Sequence, residues 1–389
     1  MDMSMKWKEW KIPLSDLDYG PEEEAAVMEV LRGRWLTMGE EVEAFEAEFA
    51  GYLRAKHAVA VANGTAALHL AFLALGIGPG AEIVQPAINF VAAANITVAC
   101  GAKPVFADIA GVAEPAIDPE AVARQVTPAT RAVVVMHYGG YPCRMAEIRE
   151  ICRSRGLALI EDACHAVGAL YLDPLERPPH SRMAGNAGDI GCFSFFSNKN
   201  LAVGEGGMVV TNNDDLAQKV RRLRSHGMTT LTWDRHRGHA STYDVASHGY
   251  NYRLDEIRAA LGRVQLRKLD ENNLRRRELV ELYRNRLSGL PGWIIPFNTY
   301  AGSSACHLMV AVAPDEAARA RALAALGQAR IQTSLHYPCI PDFTAFTPFR
   351  QDGLERSRAF AARAITLPLY PGMTGEQVEI VCEVISGHG

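Results

Sequence analysis

The chain has 389 residues, 48% hydrophobic and 22% charged, with a formal net charge of −4. This is enough for one large α/β domain and a smaller one, and the balance leaves no basic footprint for nucleic acid or for an anionic membrane surface. Apolar stretches are broken by Gly, Asn or Pro well short of the roughly 18 to 20 residues that a membrane span needs.

The opening segment, "MDMSMKWKEWKIPLS", lacks the apolar core of a signal peptide, which predicts a cytoplasmic protein. The eight cysteines contain no C-x-x-C pair and mostly sit in apolar contexts, such as Cys100, Cys164, Cys192 and Cys382. Buried reduced thiols are expected, with no disulfide framework and no metal site. From about residue 58 to 225 strand-like apolar runs alternate with helix-like ones. "AVAVAN" leads into "GTAALHLAFLALG", "EIVQP" into "NFVAAANITVACG", and "KPVFADI" follows. "RAVVVMHYGG", the helix "MAEIREICRSRG", "LALIEDA", "DIGCFSFF" and "GMVVTN" complete the set. Runs that are apolar throughout, separated by helices, predict a largely parallel sheet covered on both faces. Binding residues of such sheets collect at the carboxyl ends of the strands. From Asp255 a long charged helix runs to a break at "SGLPG" and reads as a connector. The predicted division is a large domain over 1–255 with an N-terminal segment at 1–30, a connecting helix over 256–290, and a small α+β domain over 291–389.

Candidate functional residues sit at these strand ends. In "NGTAALHLA", Gly64 lets backbone come close to a ligand, and Thr65 offers a hydroxyl and an N–H at a helix start, which suits a phosphate. The plainer alternative is that Thr65 only starts the helix. Phe90, at a strand-to-helix junction, is either a core aromatic or a ring for stacking on a flat ligand. Glu161 and Asp162 end a buried strand, where a carboxylate either caps the next segment or holds a positive charge on a bound heterocycle. His165 follows three residues on, within reach of the same ligand. Ser194 and Lys199 bracket a stretch that leads into the glycine turn Gly204, Gly206 and Gly207. A lysine framed by two apolar runs is either snorkelling or doing chemistry, and its characteristic covalent chemistry is the Schiff base. Together these residues describe one ligand. Its phosphate goes to Gly64, Thr65 and Ser194, its ring to Phe90, its ring nitrogen to Asp162 and its aldehyde to Lys199. That ligand is pyridoxal 5′-phosphate.

The sequence resembles the DegT-type sugar aminotransferases, a family of fold type I pyridoxal phosphate enzymes. The motifs that carry the resemblance include "NGTAALHLAFLALGIGPG", "IEDACHAVGA", "GDIGCFSFFSNKNLAVGEGGMVVTN", "GYNYRLDEIRAALGRVQL", "LHYP" and "LPLYPGMT". The resemblance implies a mostly parallel seven-stranded sheet domain flanked by helices, plus the smaller C-terminal domain. It implies Lys199 as the Schiff-base lysine, Asp162 on the pyridine nitrogen, His165 near the ring oxygen and Phe90, or a residue beside it, stacked on the ring. Thr65, Ala66 and Ser194 would hold the phosphate, and Asn251 or Arg253 of "GYNYR" would reach in from the second subunit of a homodimer. Two segments depart from the family pattern: 173–189, longer and richer in proline than the usual turn, and the long loop 228–247.

The expected activity is that of an aminotransferase acting on a keto group of a nucleotide-linked deoxysugar, with L-glutamate as the amino donor that the resemblance implies. Arg235, Arg237 and His336 are candidates for meeting substrate phosphates or carboxylates. Related possibilities are a keto-cyclitol acceptor, or a pyridoxal phosphate-binding regulator without turnover. A sugar 3-dehydratase on the same scaffold goes with loss of the lysine, which "SNKN" keeps. A nicotinamide dehydrogenase is disfavoured because "GIGPG" is not G-x-G-x-x-G after a strand.

Overall fold

Seven of the apolar runs pair into one sheet. In the computed structural model, which describes residues 10–173, 180–230, 233, 238 and 242–387, the strands are β1 (His57–Val61), β2 (Glu82–Pro86), β3 (Lys103–Ala107), β4 (Thr130–Met136), β5 (Ala158–Asp162), β6 (Ile190–Ser194) and β7 (Gly207–Thr211). Their order across the sheet is β1-β7-β6-β5-β4-β2-β3. Neighbours from β3 to β6 run parallel, and β7 alone is antiparallel to both strands beside it. The predicted architecture, a mostly parallel sheet between helices, is the one observed.

Both faces are buried, which is why the strands carry so little polar alternation. On β1, Val59 and Val61 face a core shared with helices Gly64–Ala74 and Ala92–Ala99, while Ala58 and Ala60 face the aromatic cluster of Phe45, Phe49, Phe193 and Phe195. The same alternation separates the two acids at the end of β5. Glu161 turns away from the cavity described below and is fully buried. It accepts from His137 Nε2 (2.9 Å) and from the backbone N–H groups of Gly185 (2.8 Å), Ala187 (2.6 Å) and Gly188 (2.6 Å). Asp162 takes the opposite face. The capping of the next segment weighed for this acidic pair falls to Asp162, whose Oδ1 accepts from Cys164 N, while Glu161 ties down the distant turn at 185–188.

The connecting helix spans Glu256–Leu287 and is capped by Asp255, whose side chain accepts from the Arg258 N–H. Its first half pairs with an N-terminal helix, Glu40–Leu53, through Arg263 to Glu41 and Glu48. Its second half is buried against the C-terminal region, where Tyr283 donates to Pro368 O and Arg276 to Leu369 O. That region is built on an antiparallel pair, Met309–Val312 with Ala364–Leu367, and on helices Glu316–Gln328, Glu355–Arg363 and Gly375–Ser386. The N-terminal segment is stitched to this region, with Gln332 N donating to Ile12 O and Leu369 N to Leu14 O.

Two hairpins were not foreseen. Sequence pattern runs "KPVFADI" as one strand, but the chain turns at Asp108, which is buried and bound by Ser357 and Arg356, and a hairpin of Ile109–Gly111 with Glu114–Ile117 follows. Within the long segment 173–189, Leu170–Asp173 pairs with His180–Met183. Among the described residues no helix is long and apolar enough to cross a membrane.

Glu161→Ala strands three backbone donors and His137, a loss of about 3–5 kcal/mol by the usual cost of breaking a buried charged network. Burial alone raises the Glu161 pKa, but His137 and the backbone donors outweigh it and hold the carboxyl below its ordinary value. A carboxyl with a depressed native pKa stabilises the fold above its unfolded pKa of about 4.3 and loses that contribution as pH falls through the native value. Urea unfolding of cofactor-free protein should therefore show the full deficit of the variant at pH 7 and a narrowing gap below about pH 4.

Candidate active site

The carboxyl ends of the parallel strands, together with the turn that follows β1, surround a cavity of about 390 Å³. Asp162, the last residue of β5, lies on its wall and is only 4% exposed. Its carboxylate is oriented by two donors, Asn89 Nδ2 to Oδ2 and Cys164 N to Oδ1, each at 3.3 Å. Lys199 enters the same cavity from the turn after β6, where its N–H donates to Phe196 O at 2.8 Å. It is half-buried. Burial lowers its pKa from the usual lysine value, against an opposing pull from Cys164 and Asp162.

One end of the cavity is shaped for an anion. Helix Gly64–Ala74 begins there, and its N-cap is Asn63, whose Oδ1 accepts from Ala66 N at 2.8 Å. Thr65 is thus not the cap. The cap takes the Ala66 N–H, and Ala66 is buried and does not line the cavity, so the helix start offers the N–H groups of Gly64 and Thr65 and the Thr65 hydroxyl. Ser194, at the end of β6, completes this cup. Glycine is required at position 64 because a Cβ there would sit 2.8 Å from Ser194 Cβ. At Gly207, which opens β7, a Cβ would sit 2.6 Å from the Asn63 carbonyl. The two close approaches bring the helix start and the strand ends together.

The remaining walls are aromatic and imidazole. Phe90 is 56% exposed, unusual for a phenylalanine beside a core, and its ring stands 6.0 Å from that of Tyr337. His165 is buried, with Nε2 2.9 Å from the Tyr337 hydroxyl and Nδ1 without a partner among the described residues. Burial, reinforced by Lys199, pushes its pKa well below the usual imidazole value, so it is neutral. His336 also lines the cavity, with Nδ1 3.0 Å from Thr366 Oγ1. Burial and the Lys199 charge push its pKa down to about 4, so at neutral pH it meets an anion as a hydrogen-bond group and brings no charge.

The structure brings Gly64, Thr65, Phe90, Asp162, His165, Ser194, Lys199 and His336 around one cavity. Asn251 and Arg253 do not line it; their segment runs beside the end of β1, where Tyr252 O accepts from Ala62 N, and Asn251 is exposed. Arg235 and Arg237 lie outside the described residues, while Trp233 of the same loop rests on Trp35 with ring centroids 4.8 Å apart. Sequence reasoning missed Asn89 and Tyr337. Their signals were present, since Asn89 precedes Phe90 and Tyr337 follows His336, but their partners are distant in the chain.

A glycine-tight anion cup, an exposed aromatic ring, a neutral buried imidazole with a spare nitrogen, and an aspartate and a lysine on one cavity fit pyridoxal phosphate in each part. On this sheet order they define a fold type I, pyridoxal phosphate-dependent aminotransferase. The chain belongs to the DegT/DnrJ/EryC1/StrS aminotransferase family, whose model matches residues 18–386. It is 39% identical over 374 residues to the spore coat polysaccharide biosynthesis protein SpsC of Bacillus subtilis (strain 168), covering 94% of each chain. The aminotransferase TlmJ of Streptoalloteichus hindustanus superposes with a TM-score of 0.88 at 33% identity, over 97% of this chain and 98% of that one. DesV of S. venezuelae gives a TM-score of 0.87 at 33% identity over the same shares. PseC of Helicobacter pylori, an aminotransferase involved in pseudoaminic acid biosynthesis, gives 0.87 at 28% identity, again over 97% and 98%.

Gly64→Ala forces Ser194 out of the cup, and overpacking of this kind costs about 1–3 kcal/mol. Titration of cofactor-free protein with pyridoxal phosphate should show affinity reduced by about tenfold to a hundredfold. Gly327→Ala, at a helix position with open space around it, should leave the affinity unchanged.

Proposed function

We propose that this enzyme transfers the amino group of L-glutamate to a keto group of a nucleotide-linked deoxysugar. The observation that carries the reading is the placement of Lys199 and Asp162 on one cavity whose far end is the Gly64–Ser194 anion cup. Support for a sugar acceptor comes from the relatives: SpsC is named for polysaccharide biosynthesis and PseC for the biosynthesis of pseudoaminic acid.

Bound pyridoxal phosphate supplies an electron sink for the carbanion left when a proton leaves the carbon bearing the amine. The chain does the rest. Thr65 and Ser194 hold the phosphate and so fix the ring's position. Asp162, oriented by Asn89, would hold the proton on the ring nitrogen. Phe90 covers one ring face and keeps water from it, and the neutral His165 offers its spare nitrogen to a ring substituent. Lys199 Nζ would hold and move the proton that leaves the donor's Cα, and would return it in the half-reaction with the ketosugar. Its depressed pKa raises the fraction of free amine available for that work.

Among the described residues, Lys199 is the only Lys or Arg lining the cavity, which is too little charge for a dicarboxylate donor and a diphosphate-bearing acceptor. The reading completes the charge with a homodimer whose sites are shared. Asn251 or Arg253 would reach the partner's phosphate cup, and Arg235 and Arg237 would meet the acceptor's phosphates or the donor's carboxylates. The setting is cytoplasmic, a reading supported by eight cysteines that are all free.

Adding L-glutamate to the loaded enzyme should convert the cofactor's absorbance to that of its amine form with one equivalent of 2-oxoglutarate released. A screen of keto sugars, free and nucleotide-linked, and of keto-cyclitols against that amine form should restore the original spectrum only with the nucleotide-linked ketosugar. Asp162→Asn should bind the cofactor yet slow the glutamate half-reaction by about 10³-fold, because the ring nitrogen loses its proton. Near-normal glutamate turnover in that variant would refute the role of Asp162.

A further inference from the structure

The two residues flanking Lys199 point to a single buried histidine that the chemistry above does not use. His307 lies in the loop before strand Met309–Val312 and is 5% exposed. Its loop is fixed over the end of β4 by His307 N donating to Gly139 O and Ala305 N to Gly140 O. Its ring centroid stands 4.3 Å from that of His165, and its Nδ1 lies 2.9 Å from Asn200 Oδ1.

The direction of every hydrogen bond in this cluster is determined. Asn273 Nδ2 donates to Val167 O at 2.9 Å, so its oxygen faces Asn200. Asn200 Nδ2 donates to both Asn273 Oδ1 and Ala305 O, each at 2.7 Å. The Asn200 oxygen can then only accept, and the proton on the bond to His307 belongs to Nδ1. Burial, with His165 and Lys199 nearby, keeps His307 well below the usual imidazole pKa and therefore neutral. A neutral imidazole protonated on Nδ1 presents a lone pair at Nε2. That Nε2 is buried and has no partner among the described residues, and neither has Asn198 Oδ1, another acceptor. Both residues border one small cavity of about 20 Å³, which Ser15, His336 and Thr366 also line. This is large enough for one water, which needs roughly 10–15 Å³ and two to four polar partners. A water has two protons to give, and two of the residues lining this cavity each carry a buried acceptor without a partner among the described residues.

We infer that His307 is a positioning residue that anchors both neighbours of Lys199, Asn200 by a direct hydrogen bond and Asn198 through one buried water. Clamped on both sides, the turn carrying Lys199 keeps its side chain in the cavity that Asp162 also lines. Misplacing a reacting group by about 1 Å costs on the order of 10²-fold in rate, so the anchor acts on the proton-transfer step and not on donor affinity. The inference rests on the proposed role of Lys199 as the cofactor lysine, but its structural part is testable without turnover.

In the loaded enzyme labelled with ¹⁵N-histidine, the His307 resonances should show a protonated Nδ1 and an unprotonated Nε2 at neutral pH. A crystal structure should show one water between Nε2 and Asn198 Oδ1. His307→Leu should lower the single-turnover rate with L-glutamate by about 10²-fold while leaving its apparent KM within about threefold. His307→Gln, which keeps a donor for Asn200, should recover most of that rate. An Nε2-protonated His307, the lack of that water, or a Leu variant that reacts at the wild-type rate with only a lowered Tm would each overturn the anchor. Should the Leu variant not fold, Asn200→Ser breaks the same bond from its other end and should show the same split between rate and KM. A wild-type enzyme with the stated tautomer and water but no reaction with glutamate would leave the anchor standing and overturn the functional reading instead.

Discussion

A lysine amine taken partly out of water and set on the same wall as a buried carboxylate is the constraint on which the rest of the molecule depends. Desolvation pulls the Lys199 pKa down, while Cys164 and Asp162 pull the other way. The fold mounts the two groups on different strands. Asp162 ends β5 and Lys199 rides the turn after β6, and those strands are held in parallel register by Ile190 opposite Ile160 and Cys192 opposite Asp162. The carboxylate is further engaged by Asn89 and the Cys164 N–H, each at 3.3 Å.

The same strand ends set the distance to the anion cup. Gly64 and Gly207 permit contacts with Ser194 and Asn63 that any side chain would break. The helix that begins at Gly64 is thereby pressed against the ends of β6 and β7, with Gly64 and Thr65 on the cavity wall. Glu161, one residue before Asp162, makes the scaffold rigid from behind: it closes the turn at 185–188 and binds His137. Strand alternation thus gives two adjacent acids opposite surroundings, one locked in the scaffold and one on the cavity wall.

Much of this was legible in the sequence because its causes are local. A parallel sheet buried on both faces needs uninterrupted apolar strands, and "AVAVAN", "EIVQP" and "GMVVTN" read as such. The long helix at Glu256–Leu287 shows its cap, Asp255, and its break, "SGLPG". Gly64, Asp162, Ser194 and Lys199 stand out because each closes or follows a strand. The parts that were not legible depend on distant partners. Asn63 takes the cap in place of Thr65 because its side chain reaches Ala66 N, a choice that backbone geometry makes and composition does not. His307 meets Asn200 across 107 positions and Tyr337 meets His165 across 172, and no periodicity or spacing reports such pairs. Asp108 ends its strand because of Arg356 and Ser357, contacts that a run of apolar residues cannot announce.

The placement of the cofactor on Lys199 is tested most directly by chemical trapping. Borohydride added to the loaded enzyme should abolish the visible absorbance, fix one pyridoxyl group per chain, and yield a single modified proteolytic peptide containing Lys199. A modified peptide from any other lysine, or cofactor that washes away after reduction, would contradict the assignment of this cavity as the active site.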